Sequence, residues 1–280
     1  MKDSTLVIGG DRPVYRLGFG AMRLCGPDCW GPPDDRAGAI MVAQRAVELG
    51  TDFIDTADSY GLGANEELLA EALYPYPDRL LIATKAGQSR PAAHRWVPLG
   101  RPEYLRQQAE LSLRRLRLDR IDLYQLHRID PLVPAADQFG ALKELQDEGK
   151  IRHIGLSEVS MAQLAEARMI IDVVSVQSLY NLTDRRHDSV LDYCEREGIA
   201  FIPWLPIAAG APAHPGSPPA DIADELGATP PQVAIAWLLR RSPVTLPIPG
   251  TSSAAHLQEN VEAARLELSD EQFDRLNRLA

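Results

Sequence analysis

Four side chains in this sequence have the types and positions to do proton chemistry together: Asp55, Tyr60, Lys85 and His127. Asp55 and Tyr60 share Asp55-Thr-Ala-Asp-Ser-Tyr60-Gly61, Lys85 closes Leu80-Leu-Ile-Ala-Thr-Lys85, and His127 closes Ile121-Asp-Leu-Tyr-Gln-Leu-His127. Singly, each has a structural reading: a turn aspartate, a core tyrosine, a strand-end lysine, a buried histidine. Their recurrence at the ends of three consecutive apolar runs favours one shared site. A phenol keeps its proton at neutral pH, because its unperturbed pKa is about 10. An ammonium beside it stabilises the phenolate and lowers that pKa, and a carboxylate keeps the ammonium charged. An imidazole can hydrogen-bond the same substrate oxygen and orient it. Such a set aims a proton at an oxygen that gains negative charge, as a carbonyl oxygen does when hydride adds to its carbon. No side chain carries a hydride, so a cofactor must supply it.

The elements that must position these groups alternate along the chain. Candidate strands lie at 16–20, 51–55, 80–84, 121–126, 151–156, 172–176, 200–204 and 244–248, with helical patterns between them. In 102–116, Leu105, Ala109, Ser112, Leu113 and Leu116 recur at helical spacing, and Gly149 and Gly198 stand where helix C-caps precede a strand. Ahead of these, Leu6-Val-Ile8, Gly9-Gly10-Asp11 and Val14-Tyr15-Arg16 read as a β-hairpin. Eight strands alternating with helices predict an α/β fold, a (β/α)8 TIM barrel with a short N-terminal hairpin. The 280 residues suit one barrel domain over 1–280, since such barrels need about 250 residues. An open doubly wound sheet competes, but it usually has fewer strands and a glycine fingerprint. In a barrel the chemistry sits at the C-terminal strand ends, where the four residues fall. The segment 206–220, rich in proline, glycine and alanine, follows the seventh strand and reads as a mobile cover over a ligand or as plain disorder.

Other chemistries are excluded by what is missing. The net charge of −10 argues against a general nucleic-acid binder. No apolar stretch approaches the roughly 20 residues of a membrane span, and Met1-Lys-Asp-Ser-Thr5 does not read as a secretory signal. Cys25, Cys29 and Cys194 form no disulfide framework, which favours a cytoplasmic protein. Cys25 and Cys29 lack a second ligand pair at zinc spacing, so no metal is expected. Gly61-Leu-Gly63 lacks the third glycine of a dinucleotide fingerprint, and Gly155-Leu-Ser157-Glu-Val159 lacks the last glycine of a nucleophile elbow. The arginines from Arg114 to Arg120 read as a solvated helix end.

Taken together, the segments Leu17-Gly-Phe-Gly-Ala-Met22, Asp55 to Gly61, Ala83-Thr-Lys85, Leu123-Tyr-Gln-Leu-His127, Gly149 to Ser157, Val176 to Asn181 and Ile248 to Asn260 have a specific order and spacing. In these the chain resembles the aldo-keto reductase superfamily over nearly its whole length. Gly26-Pro27, Gly31-Pro-Pro33 and Leu73-Tyr-Pro-Tyr76 resemble its bacterial, pyridoxal-reductase-like subgroup. The resemblance implies reduction of a small-molecule aldehyde or ketone with NADPH, NADH being tolerated. It implies Tyr60 as the acid, Asp55 and Lys85 as its acidifying pair, and His127 as the orienting imidazole. It places the cofactor against Gly20, Ala21, Met22 and Asp55, with Ser157 and Gln177 on the carboxamide and Trp204 stacked on the nicotinamide. Glu158, Leu205, Ile207 and Ile248 would border the same cofactor. Gly250, Thr251, Ser252, His256, Glu259 and Asn260 would hold its adenosine-phosphate end, where a helix N-terminus suits an anion.

Three departures from the family pattern bear on the cofactor. Glu158 replaces an asparagine and cannot donate a hydrogen bond. Gly250 and His256 replace a lysine and an arginine used on the 2′-phosphate. Leu205 replaces a serine. Trp30 and Trp96 lie in the first and third loops at the catalytic rim and either line a substrate pocket or pack their own loops. Arg128 either meets an acidic substrate or pairs with Asp130. A monomer or weak homo-oligomer is expected, with neither nucleic acid nor membrane as partner. The competing function is a cofactor-loaded regulatory subunit with little turnover.

Overall fold

The structure is a computed structural model that describes residues 5–207, 214 and 216–279. Strands β1 (Thr5–Ile8) and β2 (Arg12–Tyr15) pair antiparallel around Gly9-Gly10, forming the expected hairpin. Seven strands then build one parallel sheet: β3 (Phe19–Gly20), β4 (Phe53–Asp55), β5 (Leu81–Ala86), β8 (Ile121–Leu126), β9 (Ile151–Ser157), β10 (Val173–Leu179) and β11 (Ala200–Trp204), in the order β11-β10-β9-β8-β5-β4-β3. These are the near-continuous apolar runs of the sequence, and they are buried on both faces as parallel strands must be.

The eighth position is occupied by 244–249, which the structure does not form into a regular strand. It bridges the two sheet edges: Leu246 N donates to Phe201 O at 2.8 Å, and Gly18 N donates to Pro247 O at 2.9 Å. One parallel bridge, Phe201 to Thr245, is formed. Pro247 and Pro249 carry no N–H, so the segment accepts from β3 without completing a ladder. The architecture is an α/β barrel of the TIM type with an N-terminal hairpin. Closure is tight: a Cβ on Gly20 would meet Ile248 O at 2.6 Å, and one on Gly250 would meet Gly20 O at 2.6 Å. Gly250 is thus set by the close approach of two backbones.

Around the barrel run α1 (Arg36–Glu48), α2 (Ala64–Leu73), α3 (Pro102–Leu116), α4 (Ala135–Asp147), α5 (Met161–Ala167), α6 (Asp188–Glu197), α7 (Pro218–Leu226), α8 (Pro230–Arg241), α9 (Ala254–Glu262) and α10 (Asp270–Asn277). α3 spans the predicted 102–116, buries Leu105, Ala109, Ser112 and Leu116, and starts with proline at its first turn. Gly198 caps α6 with a left-handed backbone at φ 67°. No helix among the described residues is long and apolar enough to cross a membrane.

Two expectations change. Arg115 is not solvated: it turns inward and its Nε donates to the fully buried Glu66 at 2.6 Å. The segment 206–220 is not one loop, because 218–220 form the first turn of α7, while 208–213 and 215 lie outside the described residues.

Candidate active site

Parallel alternation puts every second strand residue toward the barrel axis. Asp55 ends β4, Lys85 lies near the end of β5, and His127 follows β8 directly. Lys85 Nζ donates to Asp55 Oδ2 at 2.5 Å, to Thr56 O at 2.8 Å and to Tyr60 Oη at 3.4 Å. Asp55 Oδ1 accepts from Gln125 Nε2 at 3.0 Å and Gln177 Nε2 at 2.9 Å. Both carboxylate oxygens are therefore satisfied, which a buried charge requires. The His127 ring meets the Tyr60 ring edge-on, with centroids 5.9 Å apart.

Burial dominates the titration of this cluster. It raises the Tyr60 phenol well above its usual value; Asp55 and the thiols of Cys29 and Cys25 add to this, and Arg128 opposes it. Lys85 Nζ, 3.4 Å from the phenol oxygen, is placed to stabilise a phenolate against that burial. Burial also lowers Lys85, against the pull of Asp55. His127 is held well below the usual imidazole range by burial and by the cations of Lys85 and Arg128. Its ring is neutral at pH 7, and Ser59 Oγ lies 3.4 Å from Nδ1. A Ser59 hydroxyl donating there leaves the ring proton on Nε2. The site thus holds two neutral donors, a phenol and an imidazole, beside a buried ion pair.

A cleft of about 1020 Å³ opens over these groups. Of the expected site residues, Tyr60, His127, Asp55, Gly20, Met22, Ser157, Gln177, Trp204, Leu205, Ile207, Ile248, Gly250, Ser252, Trp96 and Arg128 line it. Lys85 lies behind Tyr60, fully buried. Ala21, Glu158, Thr251, His256, Asn260 and Trp30 are not in the lining. Trp30 lies 5.5 Å from the Arg90 guanidinium instead. Glu259 borders a separate groove of about 680 Å³ between α1 and α9, away from the ionisable cluster. Among the described residues no group of three His, Cys, Asp or Glu could hold a metal ion.

Glu158 turns away from the cleft. Its backbone is left-handed at φ 56°, and its Oε1 accepts from Leu179 N at 2.6 Å and from Trp204 Nε1 at 2.7 Å. Burial alone would raise this carboxyl. Its bonds to His187, Leu179 and Trp204 win and hold it down at about 2. The carboxylate is committed to orienting the indole that borders the cleft.

The aldo/keto reductase family model matches residues 16–214 and 217–280. The chain belongs to this family of oxidoreductases. An uncharacterised oxidoreductase of Schizosaccharomyces pombe is 51% identical over 268 residues, covering 96% of this chain and 87% of that one. Pyridoxine 4-dehydrogenase of Escherichia coli is 44% identical, covering 99% and 98%. The crystal structure of an aldo/keto reductase from Klebsiella pneumoniae in complex with NADP and acetate superposes with a TM-score of 0.82 at 26% identity, covering 99% of this chain and 95% of that one.

Three residues of this aldo/keto reductase fold received no role from the sequence. Gln125 bonds Asp55, and the period-two alternation that puts it on the face of His127 was the available signal. Ser59 reaches His127 from the Tyr60 turn. Arg90 sits in an unforeseen hairpin, β6 (Gln88–Ala92) with β7 (Arg95–Pro98), inside the third loop. Its Nη1 donates to Cys29 O at 2.9 Å and Ser59 O at 3.4 Å, and its guanidinium lies 3.6 Å from the centre of the Trp96 ring. It ties the first and third loops to the turn that carries Tyr60. Nothing local in the sequence marks that role.

Proposed function

We propose that the protein reduces aldehydes or ketones to alcohols with NADPH, and that Tyr60 donates the proton. The observation that carries this reading is the buried row Asp55, Lys85, Tyr60, with Nζ 2.5 Å from the carboxylate and 3.4 Å from the phenol oxygen. Lys85 stabilises the charge left on the phenol after proton transfer, and Asp55 keeps Lys85 in place. His127, neutral, hydrogen-bonds the carbonyl oxygen and orients it toward Tyr60.

The residues present fit a dinucleotide. Ligand clefts usually measure about 300–1,000 Å³, so this one has room for more than a small carbonyl compound. It runs from Tyr60 past Trp204 to Gly250 and Ser252, at the N-terminal end of α9. There, free N–H groups and the helix dipole suit a phosphate. Bound there, a nicotinamide supplies the hydride. Ser157 and Gln177 would hold its carboxamide, Trp204 its ring, and Thr251, Ser252 and His256 the 2′-phosphate. Loss of two fixed cations at Gly250 and His256 weakens phosphate discrimination, since a charge-assisted bond contributes about 1.5–3 kcal/mol. Thr251, Ser252 and His256 offset part of this loss, so NADPH is preferred and NADH tolerated.

The chain works as one barrel domain, as a monomer or weak homo-oligomer, and its free Cys25, Cys29 and Cys194 suit a reducing cytoplasm. The test is cofactor consumption with a panel of aldehydes that includes pyridoxal, run with NADPH and NADH in competition. Faster oxidation of NADPH with several aldehydes supports the reading. No consumption with any member refutes it.

A further inference from the structure

Arg128 follows His127 at the end of β8 and borders the same cleft. Its Nη1 donates to His127 O at 2.6 Å and to Ser157 Oγ at 3.1 Å, which fixes the guanidinium plane. Nε and Nη2 make no hydrogen bond to the described residues, and neither is sealed from the cleft. Glu158 acts on Arg128 only through space, and the carboxylates around it make their hydrogen bonds to other groups. Asp130 Oδ1 accepts from Leu132 N at 2.9 Å and its Oδ2 from Gly100 N at 3.0 Å. Glu158 Oε1 serves Leu179 and Trp204, and its Oε2 faces His187 Nε2 at 3.5 Å. Asp55 is held by Lys85, and Asp28, at the cleft rim, faces His94 Nδ1 at 3.5 Å. Among the described residues no carboxylate pairs with Arg128. A guanidinium stays charged in proteins, and a charge partly withdrawn from water without a partner is costly. A carboxylate matches its planar fork through two parallel hydrogen bonds.

We propose that Arg128 is an anion-recognition residue, and that the preferred substrates are aldehydes or ketones that also bear a carboxylate. This rests on the carbonyl-reductase reading. The neutral donors Tyr60 and His127 take the carbonyl oxygen, while Arg128 takes the carboxylate and sets the orientation. The overall acidity of the chain does not oppose this, because recognition here is a short-range contact inside the cleft.

The experiment compares matched pairs of aldehydes, benzaldehyde with 4-carboxybenzaldehyde and butanal with 4-oxobutanoate, at saturating NADPH. The ratio of kcat/KM for the anionic over the neutral member cancels any general effect of Arg128 on Tyr60 or His127. The full-length protein, Arg128→Lys and Arg128→Gln are compared, and the NADPH Kd of each is measured by fluorescence. The expected result is a ratio of at least about tenfold in the unaltered protein, lost in Arg128→Gln mainly through KM and partly restored in Arg128→Lys. A ratio near one in the unaltered protein overturns the proposal. So does an equal loss for both members accompanied by a weaker NADPH Kd, which assigns Arg128 to the cofactor. Failure of the unaltered protein to reduce any of the four aldehydes overturns the reductase reading itself.

Discussion

Nζ of Lys85 lies 2.5 Å from Oδ2 of Asp55, and the two side chains are shut off from solvent. Taking both charges out of water costs several kcal/mol each, and only good geometry offsets this. Here the geometry is complete: Gln125 and Gln177 satisfy the other carboxylate oxygen, and Thr56 O takes a second ammonium proton. Removing one partner leaves the other charged and buried. Lys85→Met should therefore lower unfolding stability by about 3–5 kcal/mol, measured by urea titration. Asp55→Asn should cost a comparable amount, and the double variant clearly less than the sum. Additive losses would show that the two groups do not form a pair.

The Glu158 carboxylate and the Trp204 indole make a second coupled pair, at 2.7 Å. Glu158→Ala frees the indole, whereas Glu158→Gln keeps an acceptor oxygen. The Ala variant should raise the NADPH Kd by about tenfold and weaken quenching of tryptophan fluorescence by NADPH; the Gln variant should stay within about threefold. Equal Kd values for all three proteins would remove the indole from the cofactor site.

Asp58 predicts a pH dependence of stability. It is buried beside Glu66, and these two causes push its carboxyl up to about 8, with Oδ1 lacking a partner among the described residues. A folded-state pKa above the unfolded value means the native protein keeps a proton that the unfolded chain releases from about pH 4 upward. This contribution is fully present in acid and is lost as pH rises toward about 8, at up to about 1.4 kcal/mol per unit. Asp58→Asn lacks that slope. Melting temperatures of the variant should exceed those of the parent most at pH 9 and converge with them at about pH 4 and below. A gap independent of pH would contradict the assignment.

Much of this arrangement was legible in the chain because its local signals agree. Apolar runs long enough for buried strands end in Asp55, Lys85 and His127, so a barrel places all three at one rim. α3 and the cap at Gly198 follow directly from periodicity and backbone freedom. What escaped the sequence depends on distant partners. The closing segment reads as a strand by hydropathy, yet Pro247 and Pro249 leave it only acceptors toward β3. Glu158 looks like a ligand-facing replacement until the indole of Trp204, from another strand, claims it. Tyr60 next to Lys85 suggests an acidified phenol, whereas the burial that opposes this is a property of the whole fold and has no local signal. Arg90 gains its role only when the first and third loops are packed together.

The most direct measurement is single-turnover reduction of an aldehyde by NADPH-loaded protein, comparing Tyr60 with Tyr60→Phe. The substitution removes one oxygen and keeps the ring that packs against His127 and Trp96. The NADPH Kd should change by less than about threefold, while the hydride-transfer rate falls by about 10²–10⁴, the usual contribution of a positioned acid. A variant that binds NADPH and turns over as fast as the parent would contradict Tyr60 as the proton donor.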